Sequence, residues 1–288
     1  MYTPELSMLL AQMSELTYIQ YRNGPPPKNK GIVSLPSGYS QIASFTAPEI
    51  DLKTDLSFYK EIDWQKVKSR HEIRSIEAGL EDVYFGFAAT SASHNIIALR
   101  GTQSIFEWVT DLDIPQVPVP LYWYNNGHFK EAKVHMGFLI FYVLLVDQII
   151  EACNKFDNNL PFLVTGHSLG AALATLAAPT IKMITENKNV QMYNYASPRV
   201  GNPIFVKAYN MILGESYRVV NLSDLVPMIP PTKILSWEYA HVPEAWSFLN
   251  QSGNVAGNHA LIGKDNYTDA VNKEIPTNAE RKYPVTGL

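Results

Sequence analysis

The segment 162–178 is the feature that most constrains what this chain can fold into. An apolar run, Phe162-Leu163-Val164, leads into Gly166-His167-Ser168-Leu169-Gly170, and an alanine-rich run suited to a helix follows. This order predicts a strand, a tight turn and a helix, with Ser168 held in the strained turn. A Cβ atom at Gly166 or Gly170 would collide with the neighbouring strand and helix, which accounts for both glycines. The same pattern also fits a simpler feature, a serine that caps a helix beside two glycines.

Strand and helix patterns alternate along the rest of the chain. Strands are predicted over 83–89, 95–100, 162–165, 192–196 and 217–221, and helices over 138–156, 168–186 and 203–213. Alternation of this kind predicts a mainly parallel central sheet with helices on both faces. A further amphipathic helix is predicted within 1–21. Because α/β enzymes of 288 residues often form one domain, a single domain is expected over 1–288.

The composition excludes several classes of protein. Only 17% of the residues are charged and the net charge is −4, which argues against a disordered chain and against a nucleic-acid binder with a basic face. The single cysteine, Cys153, cannot form a disulfide within the chain and is predicted to be buried. Since no motif typical of a metal site is present, neither metal nor cofactor is expected. Few charges beside 11% aromatic residues predict extra apolar surface.

The apolar segments of the sequence predict no membrane span. The longest uncharged apolar stretch, 136–146, falls well below the ~20 residues that span a bilayer, so it predicts a buried helix and no transmembrane segment. Residues 1–21 lack a basic region and contain Glu5 and Glu15, which is not typical of a secretory signal. Localisation stays open between the cytoplasm and secretion after processing, and the oligomeric state is unknown.

A serine nucleophile needs a base and an orienting carboxylate further along the chain. Asp224 follows the predicted strand 217–221, at the strand end where α/β sheets place their sites, although an Asx turn before Pro227 is an alternative. Only His241 and His259 follow Asp224. His241 lies in an extended stretch typical of a structural histidine, whereas His259 lies in a Gly/Asn-rich loop typical of catalytic side chains. We therefore predict His259 as the base.

Two further features fit the same chemistry. The backbone N–H of Leu169 and both the N–H and the hydroxyl of Thr102 are candidate donors to an oxyanion, although Gly101 before Thr102 also fits an ordinary turn. The second feature is an apolar stripe at helical spacing, which consists of Ile105, Trp108, Val109 and Leu112. Spacing alone favours a surface helix that packs this stripe on the core.

From about residue 96 to residue 259 the chain resembles the class 3, fungal-type triacylglycerol lipases of the α/β-hydrolase fold. The motifs that carry the resemblance are ALRGT (98–102), SIFEWVTDL (104–112), VHMGF (134–138), TGHSLGAALA (165–174), SPRVGN (197–202) and RVVN (218–221), followed by DLVPMIPP (224–231). The resemblance implies Ser168 as nucleophile, Asp224 as orienting acid, His259 as base and Thr102 as oxyanion donor. It also implies a short helical lid over 103–113, whose apolar stripe covers Ser168 in water and turns towards lipid at an interface.

The resemblance implies a function as well. It is that of a serine carboxylic-ester hydrolase, in the first place a triacylglycerol lipase, which hydrolyses acylglycerols through an acyl-enzyme at a lipid–water interface without a cofactor. A feruloyl esterase or a phospholipase on the same scaffold is an alternative within the hydrolases. The alternative from another class is a lipid-binding or scaffolding protein that retains a hydrolase fold.

Overall fold

The computed structural model of the chain describes residues 1–28, 30–48, 50, 57–67, 73, 80–102, 115–120, 131–187 and 189–275. The predicted lid 103–113 lies outside these described residues, together with Ile105, Trp108, Val109 and Leu112. The expectation of one domain over 1–288 stays a prediction.

The structure describes eleven strands of two to nine residues. They are β1 (Ser40–Pro48), β2 (Asp82–Thr90), β3 (Asn95–Leu99), β4 (Gln116–Pro118), β5 (Lys133–His135), β6 (Phe162–His167), β7 (Val190–Tyr195), β8 (Ser216–Asn221), β9 (Lys233–Ile234), β10 (Trp237–Glu238) and β11 (Ala245–Phe248). Seven of them form one sheet in the order β1-β2-β3-β6-β7-β8-β11. The neighbours from β3 to β11 are parallel, whereas β1, β2 and β3 pair antiparallel. The predicted mainly parallel sheet is therefore confirmed.

The described helices surround this sheet. They are α1 (Pro4–Arg22), α2 (Ser57–Glu61), α3 (Met136–Cys153), α4 (Leu169–Thr185), α5 (Pro203–Ile212), α6 (Val255–His259) and α7 (Tyr267–Glu274). Successive residues of β3 point to opposite faces of the sheet, and each face has its own hydrophobic core. Ile96 and Ala98 pack with α1 on one face, whereas Ile97 and Leu99 pack with α3 and α4 on the other. Since side chains alternate between the two faces of a strand, both faces of the sheet are covered by helices.

The helix α3 illustrates why an apolar segment must be judged by its surroundings. By length and composition α3 could cross a membrane, and it is the one helix of the described residues that could. Of its residues, 78% are buried inside the protein, in the core that α3 forms together with the sheet and α4. A core helix passes the same test as a membrane span, so α3 is weak evidence for a membrane segment.

Two strands of the sheet have no counterpart in the sequence prediction. Register shifts between Gln41 and Ala43 and between Phe45 and Thr46 interrupt the two-residue alternation of β1. The edge strand β11 has only four residues, all at least partly exposed.

Candidate active site

Ser168 occupies the tight turn between β6 and α4. Its φ and ψ angles of 63° and −124° lie in a region that non-glycine residues rarely adopt. Such a conformation costs on the order of 1–3 kcal/mol and persists only where the surrounding structure holds it. Here the N–H of Ser168 donates to the carbonyl of Tyr195 on the next strand at 3.0 Å, and α4 begins directly at Leu169. The predicted strand–turn–helix is thus present, with strain concentrated on the serine.

The two glycines beside Ser168 are required by close packing. A Cβ atom on Gly166 would lie 2.2 Å from the carbonyl oxygen of Gly170 in α4, and one on Gly170 would lie 2.1 Å from the carbonyl oxygen of Leu99 in β3. Both distances are far below van der Waals contact. The turn therefore passes between a helix and a strand at a separation that only glycine permits, as the sequence predicts.

The structure brings the side chains of Ser168, His259 and Asp224 into one chain of hydrogen bonds. His259 Nδ1 lies 2.8 Å from Asp224 Oδ2, and His259 Nε2 lies 2.9 Å from Ser168 Oγ. Because a carboxylate only accepts, Nδ1 carries the proton and donates. In the neutral ring Nε2 then accepts from the Ser168 hydroxyl, which is the orientation needed to remove its proton.

Asp224 is fully enclosed and anchored by donors on both oxygens. Its Oδ1 accepts from the N–H of Val226 at 2.9 Å, so the alternative Asx turn is also present. Its Oδ2 accepts from the hydroxyl of Tyr267 at 2.7 Å in addition to His259. Burial and the charge of Asp224 raise the pKa of Tyr267 well above its usual value, so this hydroxyl keeps its proton and donates. Sequence reasoning missed Tyr267, because no local pattern announces a contact across 43 residues.

Paired amides hold the loop of Asp224 against the helix of His259. Asn221 Nδ2 donates to the carbonyl of Asn258, and Asn258 Nδ2 donates to the carbonyl of Ser223, both at 3.0 Å. Asn254 caps α6 by accepting from the N–H of Gly257. These bonds fix the two functional residues relative to each other through the backbone.

The other late histidine, His241, has a different role. Its Nε2 donates to the carbonyl of Pro227 at 2.8 Å. Burial, followed by the charge of Arg218, lowers the pKa of His241 to about 3. The structure therefore places His241 as a neutral, hydrogen-bonded residue, which agrees with its interpretation from sequence.

The candidate oxyanion donors lie beside Ser168. Leu169 is the first residue of α4, and the first N–H groups of a helix have no acceptor within it. Gly101 packs on the turn from the other side, since a Cβ on it would lie 3.0 Å from Ser168 Cβ and 2.6 Å from the carbonyl oxygen of His167. Thr102 follows Gly101 directly and is half-buried. Both predicted donors thus belong to segments that adjoin the serine.

No cluster of three or more His, Cys, Asp or Glu side chains suited to a metal occurs among the residues that the structure describes. Cys153 is buried near the end of α3, and burial raises the pKa of its thiol to about 12. It lies outside the site and behaves as the apolar residue predicted from sequence.

Comparisons with known proteins agree with this geometry. Residues 96–234 match the family model described as lipase (class 3), a range that includes Ser168 and Asp224 and ends before His259. The secreted mono- and diacylglycerol lipase A of Penicillium cyclopium is 35% identical over 155 residues, which cover 52% of this chain and 47% of the relative. The chain spans about half the length of the curated relatives it matches.

Solved structures extend the similarity beyond the matched range. A mutant form of MDLA from Penicillium cyclopium aligns with a TM-score of 0.59 at 25% identity, over 88% of this chain and 83% of that chain. The lipase from Rhizopus microsporus var. chinensis aligns with a TM-score of 0.58 at 23% identity, over 84% and 73%. These likenesses confirm the predicted α/β-hydrolase fold.

Proposed function

We propose that this chain, whose residues 96–234 match the family model of the class 3 lipases, is a serine carboxylic-ester hydrolase that acts on acylglycerols. The observation that carries the proposal is the hydrogen-bonded series Ser168–His259–Asp224, which begins at a serine held in a strained turn. A helix cap would explain the serine and the glycines, but it would not explain a buried carboxylate and a histidine aligned on the hydroxyl.

Each of the three side chains has a defined task in the proposed reaction. His259 Nε2 takes the hydroxyl proton while Ser168 Oγ bonds to the carbonyl carbon of the ester, and His259 then returns the proton to the departing alcohol. Water enters, gives a proton to His259 and attacks the acyl-enzyme, after which the fatty acid leaves and Ser168 regains its proton. Asp224 remains ionised and stabilises the imidazolium that forms in each half-reaction.

The oxyanion of each tetrahedral intermediate is assigned to Leu169 and Thr102. The N–H of Leu169 points out of the first turn of α4, where the helix dipole also favours negative charge. Thr102 is proposed as the second donor because Gly101 holds its segment against Ser168. Loss of one such donor typically lowers kcat by ~10²–10³.

An acylglycerol substrate is supported by apolar residues around Asp224. Leu222, Leu225 and Met228 are 60%, 51% and 57% exposed although all three are large and apolar. Leu249 and Val255, which are also exposed, belong to segments joined to this loop by the hydrogen bonds of Asn221 and Asn258. Exposed apolar residues grouped beside a site are typical of a surface that meets lipid. The named activity of the Penicillium relative adds mono- and diacylglycerols to the triacylglycerols expected from the sequence.

Access to Ser168 requires a movement, because the residue is fully buried in the structure. The lid proposed over 103–113 rests on the apolar stripe and the resemblance found in the sequence, because its residues lie outside the described part of the chain. Hydrolysis rates measured below and above the solubility limit of the substrate test the lid. An abrupt rise at the limit is expected, whereas a smooth saturation curve would count against it.

Labelling with an active-site phosphonate ester, read by mass spectrometry, tests the proposed function. One phosphonyl group is expected on Ser168, and none is expected in Ser168→Ala. Hydrolysis should be lost in His259→Ala and retained in His241→Ala. Complete absence of label would favour a lipid-binding protein on this fold. Loss of activity in the His241 variant alone would refute the assignment of the base. A panel of long-chain acylglycerols, phospholipids and aromatic esters separates the lipase from phospholipase and feruloyl esterase alternatives.

A further inference from the structure

A second series of hydrogen bonds reaches His259 from the helix α1. Tyr18 Oη lies 2.8 Å from His167 Nδ1, and His167 Nε2 lies 2.9 Å from the carbonyl oxygen of His259. The backbone of Gly101 also forms a hydrogen bond with the Tyr18 hydroxyl. One phenol therefore touches the segment of Thr102 and, through His167, the segment of the proposed base.

The chemistry of these partners fixes the proton on each atom. The His259 carbonyl can only accept, so His167 Nε2 carries a proton and donates to it. Burial, followed by the neighbouring His259, lowers the pKa of His167 well below its usual range, so the ring is neutral and Nδ1 is an acceptor. Burial raises the pKa of Tyr18, so its hydroxyl keeps a proton and donates to Nδ1. The backbone N–H of Gly101 in turn donates to the Tyr18 oxygen.

This arrangement matters because the two imidazole rings are neighbours. The ring centroids of His167 and His259 are 4.6 Å apart. In the proposed reaction His259 becomes positively charged, and a second cation at that separation would oppose the proton transfer. A neutral His167 whose only N–H points at the His259 carbonyl avoids this repulsion. It also fixes the backbone that carries the base.

We propose that Tyr18 and His167 are positioning residues of the hydrolase: Tyr18 holds His167 in the Nε2–H tautomer, and His167 holds the backbone of His259 in register with Ser168. This proposal rests on the proposed function. It also assigns a purpose to Gly101, because a Cβ there would lie 2.3 Å from the Tyr18 hydroxyl and would displace it. The end of α1 is thereby part of the active-site scaffold, although it lies 149 residues before His167 in the chain.

Tyr18→Phe tests the first link, and Tyr39→Phe is its matched control. Tyr39 Oη contacts His94 Nδ1 at 3.3 Å, a similar pair at the start of β3, whereas the site lies at the end of that strand. We expect Tyr18→Phe to lower kcat and the rate constant of phosphonate labelling by about tenfold with KM unchanged, a change worth ~1.4 kcal/mol. Tyr39→Phe should alter none of these values.

A comparison of His167→Gln with His167→Leu tests the second link. The glutamine amide can still donate to the His259 carbonyl, whereas leucine cannot. We expect His167→Gln to label several times faster than His167→Leu. Active-site titration separates positioning from stability, because a purely structural loss reduces the labelled fraction and leaves the rate per labelled site unchanged. If Tyr18→Phe does not fold, the two His167 variants decide the question alone.

Wild-type rates in Tyr18→Phe, or equal rates in the two His167 variants, would overturn the positioning proposal. Failure of the wild-type protein to label at all would instead refute the proposed function. The two failures are therefore distinguishable within one series of measurements.

Discussion

Replacing Tyr267 by phenylalanine removes a single oxygen atom from the interior of the site. That oxygen donates to Asp224 Oδ2 at 2.7 Å and accepts from the backbone N–H of Asn221 at 3.2 Å. The side chain is fully buried, so water does not replace either partner. The ring itself packs edge-on against Phe248, with centroids 5.2 Å apart, and phenylalanine preserves this contact.

The magnitude follows from the two bonds that are lost. A hydrogen bond to a charged group contributes ~1.5–3 kcal/mol, and a buried N–H left without an acceptor costs ~1–3 kcal/mol. We therefore expect Tyr267→Phe to lower the free energy of unfolding by about 2.5–6 kcal/mol. Asp224 keeps the bonds from Val226 and His259, so kcat should fall by about tenfold, far less than the ~10⁴ expected when the orienting acid itself is replaced.

Urea unfolding and ester hydrolysis measure the two effects, and Tyr209→Phe serves as control. Tyr209 is equally buried, but its hydroxyl contacts neutral partners, the sulfur of Met192 at 3.5 Å and the side chain of Ser216, rather than a carboxylate. Removing the Tyr209 hydroxyl should lower the free energy of unfolding by less than about 1 kcal/mol and leave kcat unchanged. If Tyr267→Phe unfolds within about 0.5 kcal/mol of the wild type, the reasoning from buried hydrogen bonds is wrong.

Two further predictions concern packing and pH. Gly170→Ala should destabilise the protein by more than about 3 kcal/mol or prevent folding, because its Cβ would lie 2.1 Å from the Leu99 carbonyl oxygen. Gly214→Ala is the control, since the space around Gly214 is open. In the same denaturant titration this control should unfold like the wild type. The second prediction concerns His241, whose pKa is 6.5 in the unfolded chain and about 3 in the folded protein. As the pH falls from 6.5 towards 3, the free energy of unfolding should decrease, because the unfolded chain takes up the proton first. At about pH 5 the free energy of unfolding should be lower by ~2 kcal/mol. An equal dependence of stability on pH in His241→Gln would contradict this prediction.

The strand ends and the order of the motifs are the parts of the site that the sequence predicts. Ser168 follows the buried strand β6 and Asp224 follows the buried strand β8, so both are placed at the same edge of a parallel sheet. His259 is then selected by its position after Asp224 and by the glycine and asparagine before it. The loop expected there is wrong, because His259 is the last residue of the short helix α6. These inferences need only local patterns and the chain order of the fold.

The supporting residues of the site are not predictable in this way. Tyr267, Tyr18 and Asn258 act through hydrogen bonds to residues that are distant in sequence, and a single tyrosine or asparagine gives no periodic signal. The sequence pattern also does not predict which residues cover Ser168, because an amphipathic stripe predicts a helix but not the surface on which that helix packs. Tertiary packing decides these features.

The series of hydrogen bonds through Ser168 also has a consequence for synthesis of the protein. Ser168 emerges from the ribosome 91 residues before His259, a delay of ~5–20 s at the usual rate of translation. During that time Ser168 lacks His259, so under the proposed mechanism the unfinished chain cannot yet cleave an ester. By the same mechanism, a chain interrupted before residue 259 should not form an acyl-enzyme. Ester cleavage by a refolded sample therefore reports that the last segments of the site have docked, which circular dichroism of the helices alone would not reveal.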